Sequence, residues 1–238
     1  MSIKNKSVLI TGASKGIGRA LALLLAKKGA NLSLVARGEI ELLSLKAEIE
    51  LIGSKAEIFI GSVADEDFVK QTTASIIKSY GKIDALVNNA GFGIFGKATE
   101  ISTADWDSIY GTNVKGTFLF CREAIPHMKA EGGGHIVNVA SDVAKRVFDG
   151  GSLYCSSKYA QDAFSMALRK EVRKDAIKVS VVYSGLVDTY FHSREEGDQR
   201  QAEYLSSQDM ADAITYILEA PKHVVIDELM IHPISQEY

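Results

Sequence analysis

A tyrosine and a lysine stand four residues apart at Tyr154 and Lys158, in the stretch Gly150-Gly-Ser-Leu-Tyr-Cys-Ser-Ser-Lys158. The surrounding pattern is helical, and residues four apart in a helix share a face. An ammonium ~4 Å from a phenol attracts its anion by ~4 kcal/mol at an effective dielectric of about 20, and ~1.4 kcal/mol moves a pKa by about one unit. The lysine is therefore expected to lower the phenol from its usual ~10 to where it exchanges a proton with an alcohol or carbonyl oxygen. Such a pair also arises by chance, so its meaning depends on its surroundings.

A second constellation lies at the N-terminal end. The run Ser7-Val-Leu-Ile-Thr11 leads into Gly12-Ala-Ser-Lys-Gly-Ile-Gly18 and then into a segment with a continuous apolar helical face. In a strand-turn-helix of this kind Gly12 permits the tight turn, Gly16 lets backbone approach a ligand, and Gly18 lets helix pack on strand. The helix N-terminus offers free N–H groups and a positive dipole to a diphosphate, so Ser14, Lys15, Gly16 and Ile17 are expected beside it. A carboxylate closing the second strand would accept from a ribose 2′-OH, whereas cations suit a 2′-phosphate. Here that strand closes Leu34-Val-Ala-Arg37 without an acid. Lys15 and Arg37 together favour NADP(H) over NAD(H), the alternative being that both are solvated surface charges.

These residues need a scaffold, and the chain supplies a regular one. Short apolar runs alternate with helix-period segments, the pattern of repeated β-α units around a parallel sheet. Strands are expected at about 7–12, 31–36, 56–61, 83–88, 134–140, 177–183 and 223–231, with helices between most of them. Gly29, Gly53 and Gly81 fall where a left-handed residue ends each of the first three helices. The fold class is thus α/β, a doubly wound seven-stranded parallel sheet flanked by helices on both faces, in one domain over 1–238. Residues 184–206 are polar, aperiodic and longer than a usual connection, which suggests a substrate loop.

Composition bounds the partners. A hydrophobic fraction of 46% supports a sizeable core, and a net charge of -3 with pI near 6.0 provides no broad basic surface for nucleic acid or anionic membrane. Cys121 and Cys155 have no metal-ligand spacing. Without an apolar leader or a long apolar span, the expected location is the cytoplasm.

With these motifs in hand, the chain resembles the short-chain dehydrogenase/reductase family from about residue 5 to at least 190. The resemblance rests on Thr11-Gly-Ala-Ser-Lys-Gly-Ile-Gly18, Asn88-Asn-Ala-Gly91, Asn113 in Gly111-Thr-Asn-Val-Lys115, and Ser141 thirteen residues before Tyr154-Cys-Ser-Ser-Lys158. It implies a Rossmann-type sheet and a catalytic tetrad of Asn113, Ser141, Tyr154 and Lys158. Tyr154 would pass its proton to a developing alkoxide, Ser141 would hold the same oxygen, and Lys158 would lower the tyrosine pKa and hold the nicotinamide ribose. Asn113, at an irregularity in its helix, would hold a water linking Lys158 to solvent. The resemblance also places Asn89, Ala90 and Gly91 along the adenosine ribose, and Gly185, Val187 and Thr189 near the carboxamide. Ser62 stands where the family commonly has an aspartate facing adenine, leaving that contact to Ser62, Val63 and backbone. Tyr183-Ser184-Gly185 replaces the usual Pro-Gly, which frees a φ and adds a donor. The C-terminal tail resembles members related to sepiapterin reductase and the 3-hydroxy acid dehydrogenases.

The substrate implied is a small or medium carbonyl compound or its alcohol, in a cleft bounded by Gly93-Ile-Phe95, Val143 to Phe148 and Leu186 to His192. Arg146 could meet a substrate carboxylate or phosphate, and His192 a substrate, or both could be solvated side chains. The helices around 104–130 and 152–174 carry apolar surface that in the family forms homo-oligomers, dimers or tetramers, although core packing would also explain it. A 3-oxoacyl-carrier-protein reductase is the enzymatic alternative, with Lys129 and Arg173 as scattered docking cations. A non-catalytic NADP(H)-sensing module is the alternative from another class.

Overall fold

The computed structural model describes residues 2–189, residue 197 and residues 203–237. Among these, β1 (Ser7–Thr11), β2 (Asn31–Ala36), β3 (Lys55–Ile60), β4 (Ala85–Asn88), β5 (Gly134–Val139), β6 (Ile177–Ser184) and β7 (Glu228–Ile231) form one sheet. Its order is β3-β2-β1-β4-β5-β6-β7, with every neighbouring pair parallel. The helices are α1 (Gly16–Lys27), α2 (Glu39–Leu51), α3 (Glu66–Tyr80), α4 (Thr103–Tyr110), α5 (Thr117–Ala130), α6 (Ser152–Val172) and α7 (Ser207–Glu219). A π-helical turn, Gly111–Gly116, joins α4 to α5.

Successive side chains of a strand point to opposite faces, so a sheet covered on both sides needs apolar residues at consecutive positions. In β1 the alternation sorts them cleanly. Val8 and Ile10 pack with Leu21 and Leu25 of α1, Leu42 and Leu45 of α2, and Ile214 of α7. Leu9 packs on the other face with Val69 of α3, Phe120 and Met128 of α5, and Leu168 of α6. Two cores thus clamp the sheet and fix the strand ends from which the cleft is built.

Gly29, Gly53 and Gly81 have φ of +81°, +87° and +76°, as expected of residues ending the first three helices. The expected last strand is longer than the observed one. Residues 223–227 precede β7 in a loop where Val224 N donates to Pro221 O at 2.9 Å and Lys178 Nζ donates to Pro221 O at 2.7 Å. The branched residues Val224, Val225 and Ile226 suggested strand, but the Val224 backbone is committed to this turn and to the Lys178 clamp. The second strand has the expected limits, and those of the first and of the third to sixth lie within two residues of expectation.

Candidate active site

The strand order reverses between β1 and β4, so the connections leaving their C-terminal ends diverge and leave a crevice. A cleft of about 780 Å³ occupies it. Gly12, Ser14, Lys15, Gly16 and Ile17 border it after β1, Arg37 after β2, and Ser62 and Val63 after β3. Asn89, Ala90 and Gly91 follow β4, Ser141 follows β5, Tyr154 and Lys158 come from α6, and Gly185, Val187 and Thr189 follow β6. Gly18 and Asn113 stand behind its wall.

The turn after β1 is built on close approach. Gly12 has φ +66°, and a Cβ there would lie 2.8 Å from Ala90 Cα. A Cβ on Gly18 would lie 2.3 Å from Gly12 O, so Gly18 serves the packing of α1 on the turn and does not border the ligand space. Thr11 and Asn89 lock the two strand ends together. Thr11 Oγ1 accepts from Asn89 N at 3.1 Å and Ala90 N at 3.0 Å, and Asn89 Nδ2 donates to Thr11 O and Gly12 O, both at 3.1 Å. Lys15, at the N-cap of α1, makes no side-chain cap, so the first-turn N–H groups remain for an anion. A diphosphate fits this donor set, and the bare glycine walls fit the close passage of a dinucleotide.

At the adenosine end the structure adds an acid that the strand pattern missed. Glu41, in the first turn of α2, borders the cleft. Its Oε1 is 3.1 Å from Lys15 Nζ. Backbone hydrogen bonding first, then Lys15, hold its carboxyl below the usual range. The expected meeting of two cations is therefore modified, because Lys15 is paired with a carboxylate while Arg37 is exposed beside the cleft. The signal for Glu41 lay in its place: acids favour a helix N-terminus, and this one starts beside the glycine turn.

Around Tyr154 the helix spacing does what was expected of its geometry. Tyr154 and Lys158 share a face of α6, with Lys158 Nζ 5.9 Å from the phenol ring centroid. Both are buried. The electrostatic expectation is overturned in this arrangement. Burial raises the Tyr154 phenol above its ordinary range, a hydrogen bond with Ser141 opposes this, and the Asp142 carboxylate adds to it. Lys158 donates to Val139 O at 3.0 Å and Gln161 Oε1 at 3.1 Å, and its own pKa is lowered by burial to about 8. Desolvation thus outweighs the charge that helix spacing alone suggested.

Asn113 lies in the π-turn, the irregularity expected there. Its Nδ2 donates to Phe92 O at 3.0 Å and Ser157 Oγ at 3.1 Å, and its Oδ1 accepts from Phe92 N at 3.1 Å. A Cβ on Gly91 would lie 3.2 Å from Asn113 Oδ1 and 3.5 Å from Lys158 Nζ, so this glycine separates both groups from the cleft by almost nothing. Thr117 Oγ1 donates to Asn113 O at 3.0 Å and accepts from Gln161 Nε2 at 2.9 Å. Gln161 in turn holds Lys158, so the π-turn and the lysine form one network. Thr117 and Gln161 were missed because, although each lies one helical turn past a motif residue, sequence spacing does not show that the two turns meet 44 residues apart.

The far wall is apolar. Phe95 meets the Tyr154 ring edge-on at 5.4 Å and Phe148 at 5.7 Å. Ser184 remains in the ladder opposite Ile231, and Gly185 N donates to Ile231 O at 2.8 Å, so the segment expected to gain freedom is paired here. Behind it the C-terminal tail closes in: Gln236 Oε1 accepts from Leu186 N at 2.8 Å, and Gln236 Nε2 donates to Asp142 Oδ2 at 2.8 Å. Val187 bridges Leu205, and Thr189 faces Gly16. His192 and most of the expected substrate loop 184–206 lie outside the described residues.

Among the described residues no cluster could hold a metal ion, and no helix is long and apolar enough to cross a membrane. A family model described as short chain dehydrogenase matches residues 6–200. An uncharacterized oxidoreductase of Staphylococcus epidermidis is 31% identical over 98% of this chain and 99% of its own length. Among solved structures, an alcohol dehydrogenase from the archaeon Thermococcus sibiricus, complexed with 5-hydroxy-NADP, superposes with a TM-score of 0.93 at 29% identity, covering 99% of both chains. A metagenomic short-chain oxidoreductase in complex with NADP superposes with a TM-score of 0.87 at 28% identity, covering 98% of this chain and 99% of that one.

Proposed function

Since this chain belongs to the short-chain dehydrogenase family, we propose that it is an NADP(H)-dependent oxidoreductase that reduces a ketone or aldehyde to an alcohol, or runs the reverse. The carrying observation is convergence: the Tyr154 phenol, the Ser141 hydroxyl and the Lys158 ammonium border one cleft whose other end is a glycine turn at a helix N-terminus.

When bound, the cofactor supplies or accepts hydride. Gly12, Ser14, Lys15, Gly16 and Ile17 would cradle its diphosphate, and Asn89, Ala90 and Gly91 its adenosine ribose. Ser62 and Val63 would lie toward adenine, and Gly185, Val187 and Thr189 toward the carboxamide. Arg37, with Lys15 released from Glu41, would meet a 2′-phosphate. The NADP-type ligands in the related structures favour this choice. Tyr154 then gives its proton to the carbonyl oxygen as that oxygen gains charge, and Ser141 holds the same oxygen. Lys158 positions the nicotinamide ribose, and its positive charge stabilises the phenolate left behind. Asn113 anchors a water-borne route for returning the proton. Phe95, Phe148 and Val143 suit a small or medium, largely neutral carbonyl compound.

The carrier-protein alternative would need a basic docking patch, and Lys129 is instead paired with Asp175 at 3.0 Å. The reading extends to a homodimer or homotetramer acting in the cytoplasm.

Oxidation of NADPH, with NADH in parallel, against a panel of ketones, aldehydes and 3-oxo thioesters tests the proposal. Tyr154→Phe is expected to lower kcat by about 10²–10⁴-fold, and a kcat within twofold of wild type would overturn the mechanism. Tight NADPH binding with no turnover on any compound would point to the sensing module.

A further inference from the structure

One deeply buried carboxylate at the cleft has no part in that chemistry. Asp142 directly follows Ser141 and is 3% exposed. Its Oδ1 accepts the Ser141 hydroxyl at 3.1 Å. Its Oδ2 accepts from Arg146 Nε and from Gln236 Nε2, both at 2.8 Å, and lies 3.4 Å from His232 Nε2. A buried carboxylate is tolerated only when its oxygens are satisfied in this way.

A serine hydroxyl has one proton to donate. For Ser141 the acceptors include Asp142 Oδ1 at 3.1 Å and Ser184 O at 3.4 Å, and the nearer, charged one binds more strongly. Ser141 and Tyr154 border the same cleft, and the hydroxyl acts to lower the phenol's pKa, which it can do for a phenolate or an alkoxide only by donating. Asp142 therefore competes with the reacting oxygen for the proton that Ser141 has to offer.

Resting on the reading that Tyr154 is the proton donor, we propose that Asp142 is a positioning residue that holds the Ser141 proton in reserve and so keeps Tyr154 protonated until a carbonyl oxygen draws that proton away. Arg146 from the same segment and Gln236 from the tail fix the carboxylate from behind, which ties the readiness of the proton donor to residues far along the chain. Among the described residues, the charged or titratable groups around the Ser141–Tyr154 pair are Asp142 and Arg146, His232 from the tail, and Cys155 and Lys158 from α6. The charge of Asp142 repels that of a phenolate, so both of its effects act in the same direction.

The test is the pH dependence of kcat/KM for carbonyl reduction in D142N. The alkaline limb, where the protonated phenol is lost, is expected to move to lower pH by about one unit, so that above the wild-type midpoint the variant falls about tenfold further behind wild type than at pH ~6. The NADPH dissociation constant, read from nicotinamide fluorescence, is expected to stay within twofold. A limb superimposable on that of wild type overturns the proposal. If D142N leaves the guanidinium unpaired and the chain unfolded, D142N/R146M removes both charges and carries the same expectation. H232Q, which leaves Asp142 intact, is expected to keep the wild-type limb, and a shift there equal to that of D142N would assign the effect to the histidine. A readout independent of turnover is the alkaline tyrosinate absorbance of the cofactor-free protein, with the Y154F spectrum subtracted. Its onset is expected at lower pH in D142N, whereas inactivity of wild type on every compound would strike only at the underlying function.

Discussion

On the proposed mechanism, Lys158 is a residue that serves the site at a cost to the fold. Its ammonium is buried, and its pKa falls from 10.5 to about 8. The folded chain therefore holds this proton less tightly than the unfolded chain does. The penalty is fully present below about 8 and is relieved as pH rises from there toward 10.5, a difference of up to about 3 kcal/mol. Lys158→Met is expected to gain about 1–2 kcal/mol at pH ~7, less than the whole because Val139 O and Gln161 Oε1 lose their donor. Urea melts at several pH values should show the gain shrinking across the alkaline window, while turnover is lost. Glu41 offers a second test at this scale. Glu41→Gln removes the charge that holds Lys15, so NADPH affinity is expected to rise about three- to fivefold while NADH affinity changes little, as read by fluorescence titration at low salt. Tyr154 and Lys158 were legible because helix periodicity fixes which residues share a face. Their ionisation was not, since burial depends on Phe95 and on the rest of the packed cleft.

Among the elements, β5 and β6 carry an acid-sensitive joint. His135 of β5 is buried with Nε2 2.8 Å from Ser180 Oγ of β6. Burial, reinforced by the charge of Lys178, lowers its pKa from 6.5 to about 3. Its neutral form therefore stabilises the fold fully above 6.5, and that stability drains away as pH falls from there toward 3. Between pH ~7 and ~4.5 the loss should be about 2–3 kcal/mol. His135→Gln keeps a polar partner for Ser180 and is expected to flatten that limb in chemical melts. The strands themselves could be read because a sheet covered on both faces demands unbroken apolar runs, as in Val8, Leu9 and Ile10. The β7 boundary could not, because whether Val224 pairs or turns is decided by Lys178, more than forty residues earlier. For the same reason the tail was opaque: Gln236 acts through Leu186 and Asp142, both remote in sequence.

At the scale of the whole molecule, the α5 and α6 surface remains to be accounted for. Phe118, Tyr159 and Met166 are each about 40% exposed on these helices, an apolar display that a second copy would cover. Light scattering on the purified protein is expected to give two or four times 25.8 kDa, and Phe118→Glu to shift the population toward one. The two helices also pack against the π-turn, where Asn113 is seated. A π-turn holds one residue more than an α-turn over the same path. Removing any single residue between Gly111 and Gly116 would let α4 and α5 run on as one unbroken α-helix and would close the widened turn in which Asn113 sits. Asn113 would leave Phe92 and Ser157, and Thr117 would lose its grip on the network under Lys158. Reactivity in this chain is thus encoded partly in arithmetic: one supernumerary residue in a connecting helix keeps the cation seated.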